Sequence, residues 1–270
     1  MFHHINNTVA VQQLVVVAEN QGSETVTLTQ TKATAMGPTG DVMHLGQTAA
    51  LEYLQLSNQP RTILLKPGEK YLLYQSPKTG WKLNQAITGL FDLTSSGPVS
   101  ITVAALGSND YWNNLNSLPL LPRDVHPRGT FPNADLWVDI YLSSEEPRKI
   151  ELGKDQQGFE SWLTGYDALT GAAVINRGNY GSLYHLTFHP ERRTGILLNP
   201  RGLSFKGAFR GLDGNSYRAP AYDSFYGSRR AAVVGVLEPG QPGTIVYLPP
   251  NGSDAPLIFG LIPESYWPDF

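Results

Sequence analysis

Histidine is the residue type in this sequence that could most readily bind a metal ion or transfer a proton near neutral pH. His185 and His189 are four positions apart, a spacing that brings two ligands together on a helix. They lie in a strand-like pattern, however, and at about 3.3 Å per residue they are roughly 13 Å apart, too far to share one ion. His3 and His4 are adjacent and point to opposite faces of an extended chain. The sequence therefore predicts no metal site.

Motifs for nucleophilic or phosphate chemistry are absent from the sequence. The chain has no cysteine, which excludes disulfides, zinc–thiolate sites, iron–sulfur clusters and cysteine nucleophiles. It has no Gly-x-Ser-x-Gly, P-loop, dinucleotide-binding or His-Glu-x-x-His motif. Asp213-Gly214-Asn215 is typical of a hairpin turn or of a fragment of a Ca²⁺ loop, but the full Asp-x-Asp-x-Asp-Gly pattern with a later Glu is absent. Glu145-Glu146 precedes a proline and predicts an exposed turn. We expect no enzyme and no cofactor.

Aromatic residues in polar, loop-like settings are the best candidates for ligand binding. Trp81 follows Lys78-Thr79-Gly80, and Tyr111 and Trp112 lie between Asn and Asp residues. Such a ring can stack on a sugar face or on a partner protein. The alternative is that these rings cover the end of a sandwich. Trp137 alternates with polar residues in a strand pattern and is expected in the core.

The composition limits the class of partner. The 270 residues include 20 Lys+Arg and 23 Asp+Glu, and charged residues are 16% of the chain. No run concentrates positive charge, so a general nucleic-acid or anionic-membrane surface is disfavoured. No apolar run approaches the length of a membrane span, and the start of the chain does not resemble a signal peptide.

Strand patterns separated by turn signals dominate the sequence. The 27 glycines and 20 prolines punctuate short apolar or alternating runs such as residues 24–31 and 231–237. Only residues 46–56 show a helical pattern. Turn signals every 8–12 residues predict an all-β fold of two tandem antiparallel β-sandwich domains, immunoglobulin-like or jelly-roll-like.

A proline-rich stretch predicts the division between these domains. Pro119, Pro122, Pro127 and Pro132 disfavour both helix and central strand. We expect an N-terminal β-sandwich over residues 1–118, a connector over 119–130 and a C-terminal β-sandwich over 131–270. Similar apolar–x–Pro–Gly turns at residues 65–68 and 237–240 suggest distant copies or shared strand–turn patterns.

Three stretches together resemble a known bacterial region: FHHIN at residues 2–6, NRGNYG at 176–181 and LLNPRG at 197–202. They are similar to the region that follows the copper amine oxidase N-terminal-like domain in exported surface proteins of Gram-positive, often thermophilic, bacteria. The resemblance covers most of the chain and is carried mainly by NRGNYG. It implies an extracellular or cell-surface setting, with the signal and anchor outside this chain.

No catalytic residue transfers from that resemblance. Copper amine oxidases form their quinone from the Tyr of Thr-x-x-Asn-Tyr-Asp/Glu, whereas Asn176 stands at the Thr position and Gly181 follows Tyr180. A His-x-His pair for copper is also missing. Residues 176–181 are instead predicted to form a structural turn in which Tyr180 buries its ring and keeps its hydroxyl bonded.

These observations favour a non-enzymatic secreted or cell-surface module for structure or binding, which could associate with itself or with cell-wall polysaccharide. The second hypothesis is a carbohydrate-binding module that uses Trp81, Tyr111 and Trp112. The third is a hydrolase whose carboxylates are brought together only by folding.

Overall fold

Strands form most of the regular structure in this computed structural model, which describes residues 1–77, 80–107, 110–122, 128–132, 134–154, 161–227 and 229–268. The expectation of an all-β, sandwich-type fold is confirmed. The chain divides into unit 1, Met1–Leu45 with Gln55–Pro122, and unit 2, Gly46–Leu54 with Arg123–Phe270. The domain boundaries placed at residues 118 and 131 stay a prediction, and residues 123–127 of the expected connector lie outside the described residues.

Unit 1 is built from two antiparallel sheets, with strand orders β1-β6-β3-β4 and β5-β2-β7. A short 3-10 turn, Leu115–Ser117, follows the last strand. The strands are β1 Phe2–Ile5, β2 Gln13–Asn20, β3 Val26–Thr39, β4 Arg61–Leu65, β5 Lys70–Gln75, β6 Ala86–Ser95 and β7 Val99–Leu106.

The central strand β2 shows why this unit forms a sandwich. Its apolar run is buried on both faces, as is typical of a strand covered on two sides. Leu14 and Val16 belong to a core cluster shared with the facing sheet. Val15 and Val17 point the other way and pack with Trp112 from the segment that follows β7. Unit 1 therefore has one layer of apolar contacts on each face of β2.

Unit 2 contains a five-stranded sheet of order β15-β14-β17-β12-β8, a four-stranded sheet of order β16-β13-β18-β9 and the hairpin β10-β11. A 3-10 turn, Glu264–Tyr266, follows the last strand. The strands are β8 Asp135–Leu142, β9 Arg148–Leu152, β10 Leu163–Tyr166, β11 Ala173–Asn176, β12 Leu183–Pro190, β13 Thr194–Asn199, β14 Gly207–Arg210, β15 Ser216–Ala219, β16 Ala232–Leu237, β17 Gly243–Tyr247 and β18 Leu257–Pro263.

The core of unit 2 lies between its two larger sheets. Leu186 and Phe188 of β12 pack in one cluster with Ile196 of β13 and Phe259 of β18, and all four are fully buried. One strand departs from the expected antiparallel arrangement, because β8 runs parallel to β12. The long connection between them, which includes β9 in the other sheet, gives the chain the crossover that a parallel pair requires.

One helix, α1 Val42–Gln55, interrupts the strands of the first half, where the sequence predicted helix over residues 46–56. Its central part, Gly46–Leu54, belongs to unit 2. The Gln47 side chain donates to the carbonyls of Gly207 and Pro220, and the Arg210 guanidinium donates to the carbonyl of Leu54. These hydrogen bonds attach the helix to the β14 end of the five-stranded sheet. None of them involves β8, at the other end of this sheet.

Candidate binding surface

The outward face of β8 carries two carboxylates and two aromatic rings in alternation. Asp135, Trp137, Asp139 and Tyr141 point to solvent, while the residues between them point toward the core. Trp137 is 74% exposed and Tyr141 is 68% exposed. Because they are four residues apart on one strand, their rings are separated by roughly 13 Å along it. Two large aromatic rings are thus exposed to solvent on one strand.

Two histidines of β12 stack against these rings. The parallel register places His185 beside Trp137 and His189 beside Tyr141. The Trp137 and His185 rings are 3.7 Å apart with an interplanar angle of 5°, and the Tyr141 and His189 rings are 4.6 Å apart at 14°. We call these four residues the aromatic ladder. Each aromatic ring of β8 has one face against an imidazole, which holds its orientation.

The other face of each ring is open. In the part of the chain that the structure describes, β8 is the last strand of its sheet, so no further strand lies beside Trp137 and Tyr141. The high exposure of both side chains agrees with this position. Apolar rings that are oriented and exposed on one side can accept a flat apolar surface without first losing conformational freedom.

A carboxylate lies between the two rings of β8. The Oδ1 atom of Asp139 is 2.7 Å from Nε2 of His189, and its side chain is 64% exposed. This hydrogen bond orients the carboxylate, and the same His189 ring stacks on Tyr141. Asp139 can therefore accept hydrogen bonds from a ligand that spans the two rings.

Burial is the main influence on the pKa of His185, and it favours the neutral imidazole. Burial lowers the pKa of His185, the negative charge of Asp135 acts in the opposite direction, and the positive charge of Arg210 lowers it further. Burial therefore favours the uncharged form of the imidazole behind Trp137. A neutral ring leaves the π-electrons of the indole available to a ligand on its open face.

Trp81, the first of the predicted ligand-binding residues, lies in the core of unit 1. It is 3% exposed and packs with Phe2, Leu14 and Ile87. Its Nε1 atom donates to the carbonyl of Gln85 at 2.6 Å. In this position neither face of the indole is open to solvent.

Tyr111 and Trp112, the other two predicted residues, occupy a different part of unit 1. Tyr111 is 72% exposed, whereas Trp112 is half-buried against the cluster that includes Val15 and Val17. The structure does not bring them together with Trp81, whose ring packs in a separate cluster. Tyr111 is thus the only one of the three predicted side chains that is largely exposed.

The prediction that Trp137 is a core residue is wrong. Both faces of the run LWVDIYL carry apolar residues, and the face that contains Trp137 and Tyr141 is the outer one. The sequence did hold a signal for this, since Asp135 and Asp139 share that face and carboxylates are rarely buried without partners.

Residues 176–181 form the predicted structural turn. Gly178 and Gly181 have positive φ angles of 89° and 80°. The Asn176 side chain donates to the carbonyl of Tyr180 at 2.9 Å. The Tyr180 hydroxyl donates to the carbonyl of Ser253 at 2.8 Å, and burial raises its pKa to about 12. The expectation of a bonded Tyr180 hydroxyl is confirmed.

Two buried carboxylates are engaged in ion pairs. Hydrogen bonds from Lys154 and Lys149 lower the pKa of Glu151 to about 2. Hydrogen bonds from Arg128 likewise lower the pKa of Asp167 to about 2. Both groups stay ionised throughout the physiological pH range. A general acid needs a raised pKa, so neither carboxylate is suited to that role.

Neither a metal centre nor a membrane-spanning helix is found among the described residues. Within the described ranges, no group of three or more His, Asp or Glu residues is arranged to hold a metal ion. Among the same residues, no helix is long and apolar enough to cross a membrane.

Comparisons with known proteins assign no family. No protein-family model matches the chain, and no curated protein matches it. The resemblance to the region beside the copper amine oxidase N-terminal-like domain therefore stays a prediction.

Proposed function

We propose that this chain is a non-enzymatic binding module that holds a glycan chain on the aromatic ladder. The observation that supports this is the stack of Trp137 on His185, which leaves one indole face fixed and open on an edge strand. This proposal keeps the carbohydrate-binding hypothesis but places it on Trp137 and Tyr141 instead of Trp81, Tyr111 and Trp112. The setting that fits it is extracellular or at the cell surface, with cell-wall polysaccharide as the partner.

The chemistry of a sugar ring suits an open indole face. One side of a pyranose carries several C–H groups, which are apolar and bear partial positive charge. The face of an aromatic ring is apolar and bears partial negative charge, so the two surfaces attract. The hydroxyl groups on the rim of the sugar remain free to bond to Asp139. A polymer offers such a face at each sugar unit, which matches two rings on one strand.

Self-association through β8 is the competing function, because an edge strand can pair with a second copy. Pairing two β8 strands antiparallel about Trp137 places Asp135 opposite Asp139, and pairing them about Asp139 places two copies of that residue opposite each other. Like charges directly opposite are destabilising. The two exposed carboxylates therefore oppose these registers and favour a ligand other than a second β8.

Co-sedimentation with insoluble polysaccharides tests the proposal. The purified chain is mixed with cellulose, chitin or bacterial cell-wall sacculi, and the bound fraction is measured against protein concentration. Trp137→Ala should weaken binding by about tenfold or more, since a central aromatic contact is typically worth more than 1 kcal/mol. Tyr141→Ala should weaken it to a smaller extent.

The matched control is Tyr222→Ala, which removes a 90% exposed aromatic ring elsewhere in unit 2. This variant should bind like the original chain. The proposal is wrong if none of the polysaccharides is bound, or if Trp137→Ala and Tyr222→Ala bind equally well. Light scattering without polysaccharide distinguishes glycan binding from self-association. If the original chain forms an oligomer and Trp137→Ala is a monomer, the face that carries Trp137 is an interface between copies.

A further inference from the structure

We propose that the aromatic ladder selects glycans that carry free amino groups. The inference rests on the proposed function and adds the chemical class of the ligand. The juxtaposition that carries it is a carboxylate on each side of Trp137 along the outward face of β8. Successive outward residues of a strand are about 6–7 Å apart, so Asp135 and Asp139 flank the indole closely.

An ammonium group is the ligand group that satisfies all three side chains. A cation within about 6 Å of an indole centre is attracted by the negative face of the ring. An ammonium that rests on the open face of Trp137 is also within reach of the flanking carboxylates, each through a charge-assisted hydrogen bond. Hydroxyl groups lack the charge, so a neutral sugar gains less from this arrangement.

The charges on the neighbouring strands agree with a cationic ligand. The strands β8, β12 and β17 contain no Lys or Arg. Burial lowers the pKa of His185, which favours its neutral form, and His189 faces Asp139. Arg210 of β14 is the cation that bears on His185, and its guanidinium is bonded to the carbonyl of Leu54. The surface of the ladder is therefore complementary in charge to an amine.

An amino sugar fits better than a lysine-rich peptide. One amino-sugar residue presents a flat C–H face and an ammonium on the same rigid ring, so it can contact Trp137 and a carboxylate together. A second residue of the polymer offers a similar face to Tyr141. A lysine brings its ammonium on a flexible stem, which costs more conformational entropy to fix, and it has no flat face for the second ring.

Calorimetric titration with three β-1,4-linked hexasaccharides tests the inference: glucosamine, N-acetylglucosamine and glucose. We expect the glucosamine hexamer to bind about tenfold more tightly than the other two at pH 6 and low salt. Asp135→Asn should reduce this preference, and the double variant Asp135→Asn with Asp139→Asn should abolish it. Trp137→Ala should weaken binding of all three sugars. High salt should weaken the glucosamine hexamer selectively, because exposed charges are screened.

The outcomes separate this inference from the proposed function. Equal binding of the three hexamers, or a preference that survives in the double variant, overturns the amino-group inference and leaves glycan binding intact. Binding of none of them overturns both. Tighter binding of hexalysine than of the glucosamine hexamer identifies a cationic peptide as the ligand and also overturns the inference. Circular dichroism of the double variant confirms that it is folded before its binding is compared.

Discussion

Trp81 and Trp137 are the same residue type in two opposite situations. Trp81 is 3% exposed inside unit 1, with its indole nitrogen bonded to the carbonyl of Gln85. Trp137 is 74% exposed on the edge strand of unit 2, with one face against His185. The first ring stabilises a core, and the second is oriented by a stack and exposed to solvent.

The residues next to each tryptophan in the sequence suggest an exposed Trp81 and a buried Trp137, the opposite of what the structure shows. Trp81 follows the polar sequence Lys78-Thr79-Gly80, yet its backbone pairs with Gln12 through two hydrogen bonds that bring the ring against β2. Trp137 lies in an apolar strand, yet that strand forms the edge of a sheet. The long-range partner of the backbone, rather than the local composition, decides which ring is buried.

The largest effect expected from this comparison is on the stability of unit 1. Trp81→Ala should lower its free energy of unfolding by about 3–5 kcal/mol, because it removes a large core side chain and leaves a cavity. Trp137→Ala should lower the free energy of unfolding of unit 2 by no more than about 1 kcal/mol, since an exposed side chain leaves no cavity and only one ring stack is lost. Urea denaturation monitored by circular dichroism measures both. Similar losses in the two variants would contradict the distinction between a core ring and a surface ring.

A second prediction concerns Tyr180, a ring between these extremes. Gly178 has a φ of 89°, and a Cβ atom at this position would lie 2.7 Å from Cε2 of Tyr180. Gly178→Val should therefore cost roughly 1–3 kcal/mol through backbone strain and contact with the ring. Gly171→Val is the control: it carries a similar backbone strain at a φ of 71°, but nothing lies within 4 Å of its added Cβ, so it should cost less by the missing contact with the ring. The prediction fails if denaturation curves of the two variants coincide.

A smaller effect is expected from the Tyr180 hydroxyl. Tyr180→Phe keeps the ring and removes the hydrogen bond to the carbonyl of Ser253. The free energy of unfolding should fall by about 0.5–1.5 kcal/mol, the net contribution of one hydrogen bond. Tyr222→Phe, on a 90% exposed ring, should have no measurable effect. A loss in Tyr180→Phe as large as that of Trp81→Ala would show that the hydroxyl has a role beyond one bond.

Much of the fold could be predicted because short-range patterns encode it. Strand runs, turn residues and the helical stretch are properties of neighbouring positions. The parallel pairing of β8 with β12 and the place of Gly46–Leu54 in unit 2 could not be predicted, since they depend on contacts between residues far apart in the chain.

The aromatic ladder was missed for a related reason. The period of two in β8 shows that Trp137 and Tyr141 share a face, but it does not show which face is turned to the core. The spacing of His185 and His189 bears on metal binding, and their distance from each other along a strand excludes that role. Their role as stacking partners depends on the register with β8, which no single-strand pattern contains.

The smallest predicted effect is a shift in the titration of His185. Burial places its pKa below the ordinary value of 6.5. Because the folded state then binds protons less readily than the unfolded chain, His185 contributes stability above about pH 6.5, and this contribution is lost as the pH falls below that value. Trp137→Ala uncovers the imidazole and should raise the pKa toward 6.5, whereas Tyr222→Ala should leave it unchanged. NMR titration of the His185 ring protons measures both. If His185 titrates at the same pH with and without the Trp137 side chain, the stack does not shield the imidazole in solution, and the open indole face loses its support.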